Sequence, residues 1–365
     1  MAGGLFILAL LVMTGFLGLF SAYGLSQGFD VVSGLQHLFV DDIEPQPQSS
    51  KRVGLANVPW QRVSWQGDIE NLDLAESSGL AASPSHPEVL WSINDSGNEP
   101  KLYAMNSRGE DLGTWKVDVE EATDWESMDA FVWQETAYLI IGDTGDNFRW
   151  RPYVRFLVIE EPQDLESSER SLPVAWQVKY TYPNGYHDSE ALAVDAKNEQ
   201  VFVLSKREHP PGLFSLPLHP ARQGAPETQS SAIQEGALSI VVARFVRSLS
   251  ELPRPSQVEI DQDEGHPYRH TPVGMDLAGE RLLVATYKHA YLYRLDNLEA
   301  APLRIRLPSL GQREAVTFAA GRDNEAYISR ERFEGVGIAD LFKIEFQLSP
   351  REFEQMPQEG DSTVQ

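Results

Sequence analysis

Tyr138-Leu139-Ile140-Ile141-Gly142-Asp143-Thr144-Gly145-Asp146 decides the fold, because it repeats an earlier stretch. Leu90-Trp91-Ser92-Ile93-Asn94-Asp95-Ser96-Gly97-Asn98 has the same shape, an apolar run closed by an Asp/Asn and Gly turn, and Asp95 stands 48 residues before Asp143. A second motif keeps that offset: Ser78-Gly79-Leu80-Ala81 against Glu126-Ser127-Met128-Asp129. Two separate motifs in one register mark an internal repeat.

The unit recurs. Glu190-Ala191-Leu192-Ala193 leads into apolar runs at 201–205 and 212–218. Gly274-Met275-Asp276 leads into 282–287 and 290–295, and Glu314-Ala315-Val316-Thr317 into 326–329 and 340–346. Third strands of the first two units fit 101–105 and 153–159, and outer strands fit 113–119, 174–182, 239–247 and 302–307. Short runs rich in Val, Ile, Leu, Tyr and Phe between Gly, Pro, Asn and Asp turns are all-β patterning. Four antiparallel strands make one propeller blade, and only a closed ring of blades buries both faces of each. The expected fold is an all-β propeller of five blades. The fifth unit lacks an outer strand, which residues 61–66 supply from the N-terminal side. Long insertions at 219–236 and 250–272 leave room for a sixth blade. A two-sheet sandwich is the competing fold, and it leaves the fixed register unexplained.

First strands of blades line a central channel. Ser78, Glu126, Glu190 and Glu314 fall at equivalent points of four of them, while Val273-Gly274-Met275 offers no side-chain oxygen. Converging carboxylates repel and are costly to bury unpartnered. A divalent cation resolves this, and oxygen-only donors favour Ca²⁺ over Mg²⁺ or Mn²⁺. Backbone N–H groups, or Arg313 and Arg269, resolve it equally well. Seventeen residues past each anchor stand Asp95, Asp143, Arg207 and Glu331, with Lys206, Lys288 and Arg330 close by. That rim would present carboxylates on blades one and two and cations on the others, a place for a small anionic ligand beside a metal. Asp95 and Asp143 also read as ordinary turn residues. His187, beside Asp188 and Glu190, is a candidate acid or base or a hydrogen-bonded structural histidine.

The ends differ in kind. Residues 1–29 carry no charged side chain, and 4–24 are long enough to span a membrane at about 20 residues per crossing. Such an N-terminal hydrophobic helix is a membrane anchor, or a signal peptide cut after Ala22-Tyr23-Gly24. Either exports the rest, so an extracytoplasmic location is expected, with membrane contact only through an uncut helix. Residues 30–52 are a linker containing the Pro/Gln/Ser-rich stretch 43–52, 53–347 the folded body, and 348–365 a disordered tail.

The 365 residues include 30 Lys+Arg against 54 Asp+Glu, a net charge of −24, and no cysteine. That charge repels phosphate backbones and excludes a non-specific nucleic-acid binder. Absent cysteine excludes disulfides, thiolate metal sites and a thiol nucleophile. Gly24-Leu25-Ser26-Gln27-Gly28 lacks the strand and helix of a nucleophile elbow. His266 and His270 flank Pro267, which breaks a metal-binding helical face.

Ser78-Gly79-Leu80, Asn94-Asp95-Ser96-Gly97, Asp124-Trp125-Glu126, Gly142–Asn147 and Asp188-Ser189-Glu190-Ala191 together resemble a group of exported bacterial β-propeller proteins of unassigned function. In layout the chain is similar to calcium-activated nucleotidases. That resemblance implies five blades around a Ca²⁺ held by Ser, Glu, Glu, Ser and Glu, falling on Ser78, Glu126, Glu190, an unmatched fourth place and Glu314. Asp188 to Leu192 also resembles the Asp-x-Glu element of esterase-like propellers related to phytases. Three functions follow as expectations. One is metal-dependent phosphoester or nucleotide hydrolysis, with Asp95 or Asp143 orienting water and Lys206, Arg207, Lys288 or Arg330 clamping phosphate. The second is a non-catalytic propeller binding an envelope component. The third is a lactonase or esterase.

Overall fold

The computed structural model describes residues 55–119, 122–165, 171–220, 240–250, 252, 270–307, 313–332, 339–354 and 356. The N-terminal hydrophobic helix and the linker expected from sequence lie outside these residues, as do most of both long insertions. Among the described residues no helix is long and apolar enough to cross a membrane.

Strand β1 (Trp60–Asp68) comes first, and four-stranded antiparallel units follow. Blade one is β2 (Ser77–Ala82), β3 (Val89–Asn94), β4 (Lys101–Asn106) and β5 (Asp111–Asp118). Blade two is β6 (Trp125–Trp133), β7 (Thr136–Asp143), β8 (Val154–Glu160) and β9 (Leu172–Thr181). Blade three runs β10 (Ser189–Asp195), β11 (Gln200–Ser205) and β12 (Gly212–Pro217). The short β13 (Val241–Val242) follows, and β14 (Arg244–Ser248) is its outer strand. Blade four is β15 (Pro272–Ala278), β16 (Arg281–Thr286), β17 (His289–Arg294) and β18 (Leu303–Arg306). Blade five is β19 (Arg313–Phe318), β20 (Glu325–Arg330) and β21 (Asp340–Gln347), completed by β1 from the other end of the described chain. The closing register pairs Val63 with Ile344 and Trp65 with Phe342.

The ring closes on itself. β2 lies against β6, β6 against β10, β10 against β15, β15 against β19, and β19 against β2. Each seam between blades holds its own apolar cluster. Trp91, Ile93 and Trp115 of blade one meet Met128, Leu139 and Leu157 of blade two. Leu80, Leu90 and Tyr103 on blade one's other face meet Ala315, Tyr327 and Leu341 of blade five. Three further clusters fill the remaining seams. A buried Trp such as Trp91 removes roughly 200 Å² from water, on the order of 5 kcal/mol before entropy is counted. Burial follows position. β3 and β10 are buried along their whole length, whereas β5 and β9 alternate toward solvent. Inner strands are covered on both faces and read as unbroken apolar runs; outer strands are covered on one.

Two details differ from the sequence reading. The outer strand expected over 239–247 is divided: β13 pairs in parallel with β9 of blade two, and β14 pairs with β12 of its own blade. Buried Ala243 between them donates its N–H to Thr181 O at 2.8 Å, which draws the chain across the seam. The segment after β21 also carries structure where a tail is expected. Helix α1 (Pro350–Glu354) is capped by Ser349, whose N–H and Oγ donate to Glu352 Oε2 at 2.9 and 2.6 Å. Leu348 and Met356 pack into the seam of blades four and five, and Phe353 lies under Arg281 and Arg294.

Candidate metal centre

All five first strands share one irregularity. The ladder to the second strand slips between Ser77 and Gly79, Trp125 and Ser127, Ser189 and Ala191, Pro272 and Gly274, and Arg313 and Ala315. The skipped residues are Ser78, Glu126, Glu190, Val273 and Glu314. A β-bulge leaves its extra residue out of the ladder and re-aims its side chain. The anchors are therefore equivalent in backbone terms, Val273 included. A small residue follows each one. At Gly79 a Cβ would stand 2.8 Å from Met128 N, so the residue type sets how closely two blades approach.

The anchor side chains find different partners. Ser78 Oγ donates to Trp125 O of the next blade at 2.9 Å. Glu190 forms a buried ion pair with Lys206, whose Nζ also lies 5.8 Å from the centre of the Tyr287 ring. Tyr287 donates to Glu314 Oε1 at 3.2 Å, and Glu314 in turn meets Glu331. Burial and the Glu331 charge push the Glu314 carboxyl up to about 8; burial foremost, with Asp95 adding repulsion, pushes Glu331 up to about 7.

Glu126 takes a different neighbourhood. Ligand atoms of Asp95, Asp124 and Glu126 all lie within 4.8 Å of one another. Asp95 sits one residue past β3 on the repeated turn, and Asp124 one residue before β6. Glu126 is 4 % exposed and is held well above the usual carboxylate range by burial, then by Glu190, Asp95 and Asp124. Burial and the charges of Asp95 and Asp188 push Asp124 up to about 7. Asp124 Oδ1 is buried with no hydrogen-bond partner among the described residues. Gly145 makes the space: a Cβ there would lie 2.3 Å from Asp124 Oδ2 and 2.5 Å from Glu126 Oε1. An orphaned buried oxygen, three convergent carboxylates and a cradle that a methyl group would fill suit a hard divalent cation. Gly145→Ala is expected to cost about 1–3 kcal/mol, the range for forcing a group into filled space. Urea unfolding in EDTA measures it, and an unchanged midpoint would mean the loop yields freely.

The other site residues foreseen at the rim are engaged within the fold. Asp143 is fully buried and receives Arg151 Nη2 and Arg155 Nε, each at 2.8 Å. Burial alone would raise it; the two guanidinium groups reverse that and hold it below the usual range. Its Oδ1 also accepts Asp124 N–H at 3.0 Å, which positions the cluster. Arg207 Nε donates to Asp188 Oδ2 at 2.6 Å, and Arg330 clasps Asp340 at 2.7 and 2.9 Å. His187 places Nδ1 2.8 Å from Glu208 Oε1 and Nε2 3.0 Å from Asn184 Oδ1, so both ring nitrogens face acceptors.

Sequence reasoning passed over a second layer of the channel, three residues beyond the anchors. Asp129 accepts Val194 N–H at 2.7 Å, Asp276 accepts Phe318 N–H at 2.5 Å, and Thr317 Oγ1 accepts Ala82 N–H at 3.1 Å. Each is a stitch from one first strand to the next. The signal was present, since Asp129, Asp276 and Thr317 hold one register position. Glu314 and Glu331 give the channel a pH dependence. Their folded-state affinity for protons exceeds that of an unfolded glutamate, so the stability tied to the protonated form is complete near pH 4 and lost as pH rises through about 7 to 8. In EDTA, the melting temperature is expected to fall from pH 5 to pH 8.5, and to fall less in Glu331→Gln. A flat profile would argue against the pair.

No family model matches the chain, and no curated protein matches it. Among solved structures it is similar to a luciferin-regenerating enzyme, at 9 % identity and a TM-score of 0.37, over 78 % of this chain and 95 % of that one. It is also similar to the Pan2 WD40 domain of Neurospora crassa, at 6 % identity and a TM-score of 0.31, over 77 % of this chain and 64 % of that one. At these scores the likeness adds nothing to the strand order and closed ring. Those alone make the described body a β-propeller.

Proposed function

We propose that the chain is a cation-dependent binding propeller. Asp95, Asp124 and Glu126 hold one divalent cation, calcium by donor set, at the end of the channel where β3 finishes and β6 begins. The observation that carries this reading is Asp124 Oδ1, buried and unpartnered, on a carboxylate whose Oδ2 shares with Glu126 Oε1 the space left by Gly145 and which lies beside Asp95. Three carboxylates supply part of the six to eight oxygens calcium takes, and water completes the shell. A phosphoester hydrolase would also need cations to clamp phosphate. Lys206, Arg207 and Arg330 are committed to Glu190, Asp188 and Asp340, which favours a binding or scaffold role over hydrolysis.

Export of the body by residues 4–24 belongs to the same proposal. Extracellular calcium modules work at dissociation constants of about 10⁻⁴–10⁻³ M, and a half-open three-carboxylate site suits that range. Calorimetric titration of the EDTA-treated chain with CaCl₂ is expected to give one site per chain in that range. No heat and no melting shift at about 10 mM CaCl₂ would sink the reading. Calcium-dependent release of phosphate from nucleotides would instead restore the hydrolase.

A further inference from the structure

A pocket of about 280 Å³ opens on blade two, between Asp146 and Arg151–Val154 on the way into β8 and the stretch from Tyr180 to His187 that leads toward β10. Tyr180 is the penultimate residue of β9, the outer strand of blade two, and Tyr182 follows that strand into the turn toward β10; both are buried. Their rings meet edge to face at 5.5 Å. Tyr153 and Tyr186, the latter 36 % exposed, stand with them in the wall. Gly185, with φ +118, turns the chain so that the Tyr182–Gly185 bridge forms and Tyr186 follows it. Four tyrosines around one small cavity give flat apolar faces with hydroxyl edges.

The polar groups of the wall are already neutralised. Arg151 gives Nη2 to Asp143 and Nη1 to Gly145 O at 2.6 Å. Both oxygens of Asp146 accept backbone N–H groups, from Trp150 and Arg151, each at 3.0 Å. His187 faces Glu208 and Asn184. The pocket thus offers stacking surfaces and hydrogen-bonding edges, but neither its guanidinium nor its carboxylate is left for an ionic ligand. A phosphate or carboxylate entering it would gain an ion pair only by drawing Lys179 off the Tyr153 ring, whose centre lies 4.4 Å from Nζ, and off the Tyr153 hydroxyl, to which Nζ donates at 3.0 Å. A pyranose loses little, because its C–H face stacks on an aromatic ring and its hydroxyls exchange water for polar edges. The volume is near the lower end of ligand sites, about 300–1,000 Å³, which suits one ring rather than an oligomer.

We propose that this pocket binds a single neutral sugar ring, stacked on Tyr153 and Tyr186. The site is separate from the cation cluster and needs no metal ligand. Saturation-transfer NMR on the full-length chain, with methyl glycosides of glucose, galactose, mannose and N-acetylglucosamine as probes and inositol phosphate as the anionic control, tests it. Transfer is expected to the ring C–H protons of at least one glycoside, equally in calcium and in EDTA. Tyr186→Ala is expected to weaken that binding at least tenfold. Val132→Ala, an exposed position on β6 away from the pocket, is expected to leave it unchanged. Tyr153→Phe keeps the stacking face and should retain binding even where Tyr153→Ala unfolds. No transfer from any glycoside, transfer only from the phosphate, or undiminished binding in Tyr186→Ala would each overturn the proposal. Loss of binding in EDTA alone would place the sugar on the cation instead, and would overturn it as well.

Discussion

Lys206→Met is expected to destabilise the propeller by about 3–5 kcal/mol, the usual cost of removing one partner of a buried ion pair. Lys206 is 8 % exposed and Glu190 is 8 % exposed, so neither charge has water to fall back on. The lysine faces more than one anion: Glu190, Asp188 and Glu126 all hold its ammonium group charged against the pull of burial. Without it, Glu190 must take a proton or remain an uncompensated charge. Glu190 is pushed up to about 8 by burial even with Lys206 beside it, so at pH 6 it already holds its proton and the loss falls below that range, while the full loss belongs to pH 8 and above, where the carboxylate is charged. The double variant Lys206→Met, Glu190→Gln removes both charges and should recover most of the loss. Urea unfolding of the three proteins at pH 6 and pH 8 measures this. A single variant within about 1 kcal/mol of the parent at pH 8 would mean that the pair behaves as a solvated surface bridge.

Lys206 also shows what a sequence hides. Its spacing places it at the end of β11, and that much was legible. Whether a lysine turns outward to a ligand or inward to a buried glutamate depends on rotamer and on the neighbouring blade, and neither is written in the repeat. The architecture was far more legible, because it rests on periodicity. The 48-residue offset, the buried runs and the closing strand near residues 61–66 all reappear as strands, and the anchors all fall on bulges. Val273 has no polar atom and yet occupies its bulge, since the register belongs to the backbone. Asp124 was visible only as a neighbour of Trp125. It precedes β6, so strand alternation does not say where its side chain points; in the fold Asp143 holds its N–H and its carboxylate lies beside Asp95 and Glu126. The second layer at Asp129, Asp276 and Thr317 was readable in principle, for it repeats at a fixed distance from the anchors.

Glu126→Gln is expected to separate a metal-holding carboxylate from a merely structural one, because the two roles predict opposite signs in EDTA. Without metal, Glu126 is a buried carboxylate crowded by Asp95, Asp124 and Glu190. Replacing it with a neutral isostere removes that repulsion, so the EDTA-treated variant should melt at or above the parent. With calcium the order reverses. At a hundredfold excess over the dissociation constant, binding adds about 2.7 kcal/mol to the parent. That shifts the melting temperature of a domain this size by roughly 5 °C. The variant has lost one of three charged ligands and should bind at least a hundredfold more weakly, erasing nearly all of that shift. Asp124→Asn should behave alike, since it shares the same ion. Magnesium should stabilise the parent less than calcium, because its octahedral shell tolerates a three-carboxylate, loop-borne site poorly. Were Glu126 instead a stitch between blades, like Asp129, its replacement would lower the melting temperature equally with calcium and with EDTA. The two profiles, measured on parent and variant under both conditions, therefore decide whether the open end of this channel binds a cation.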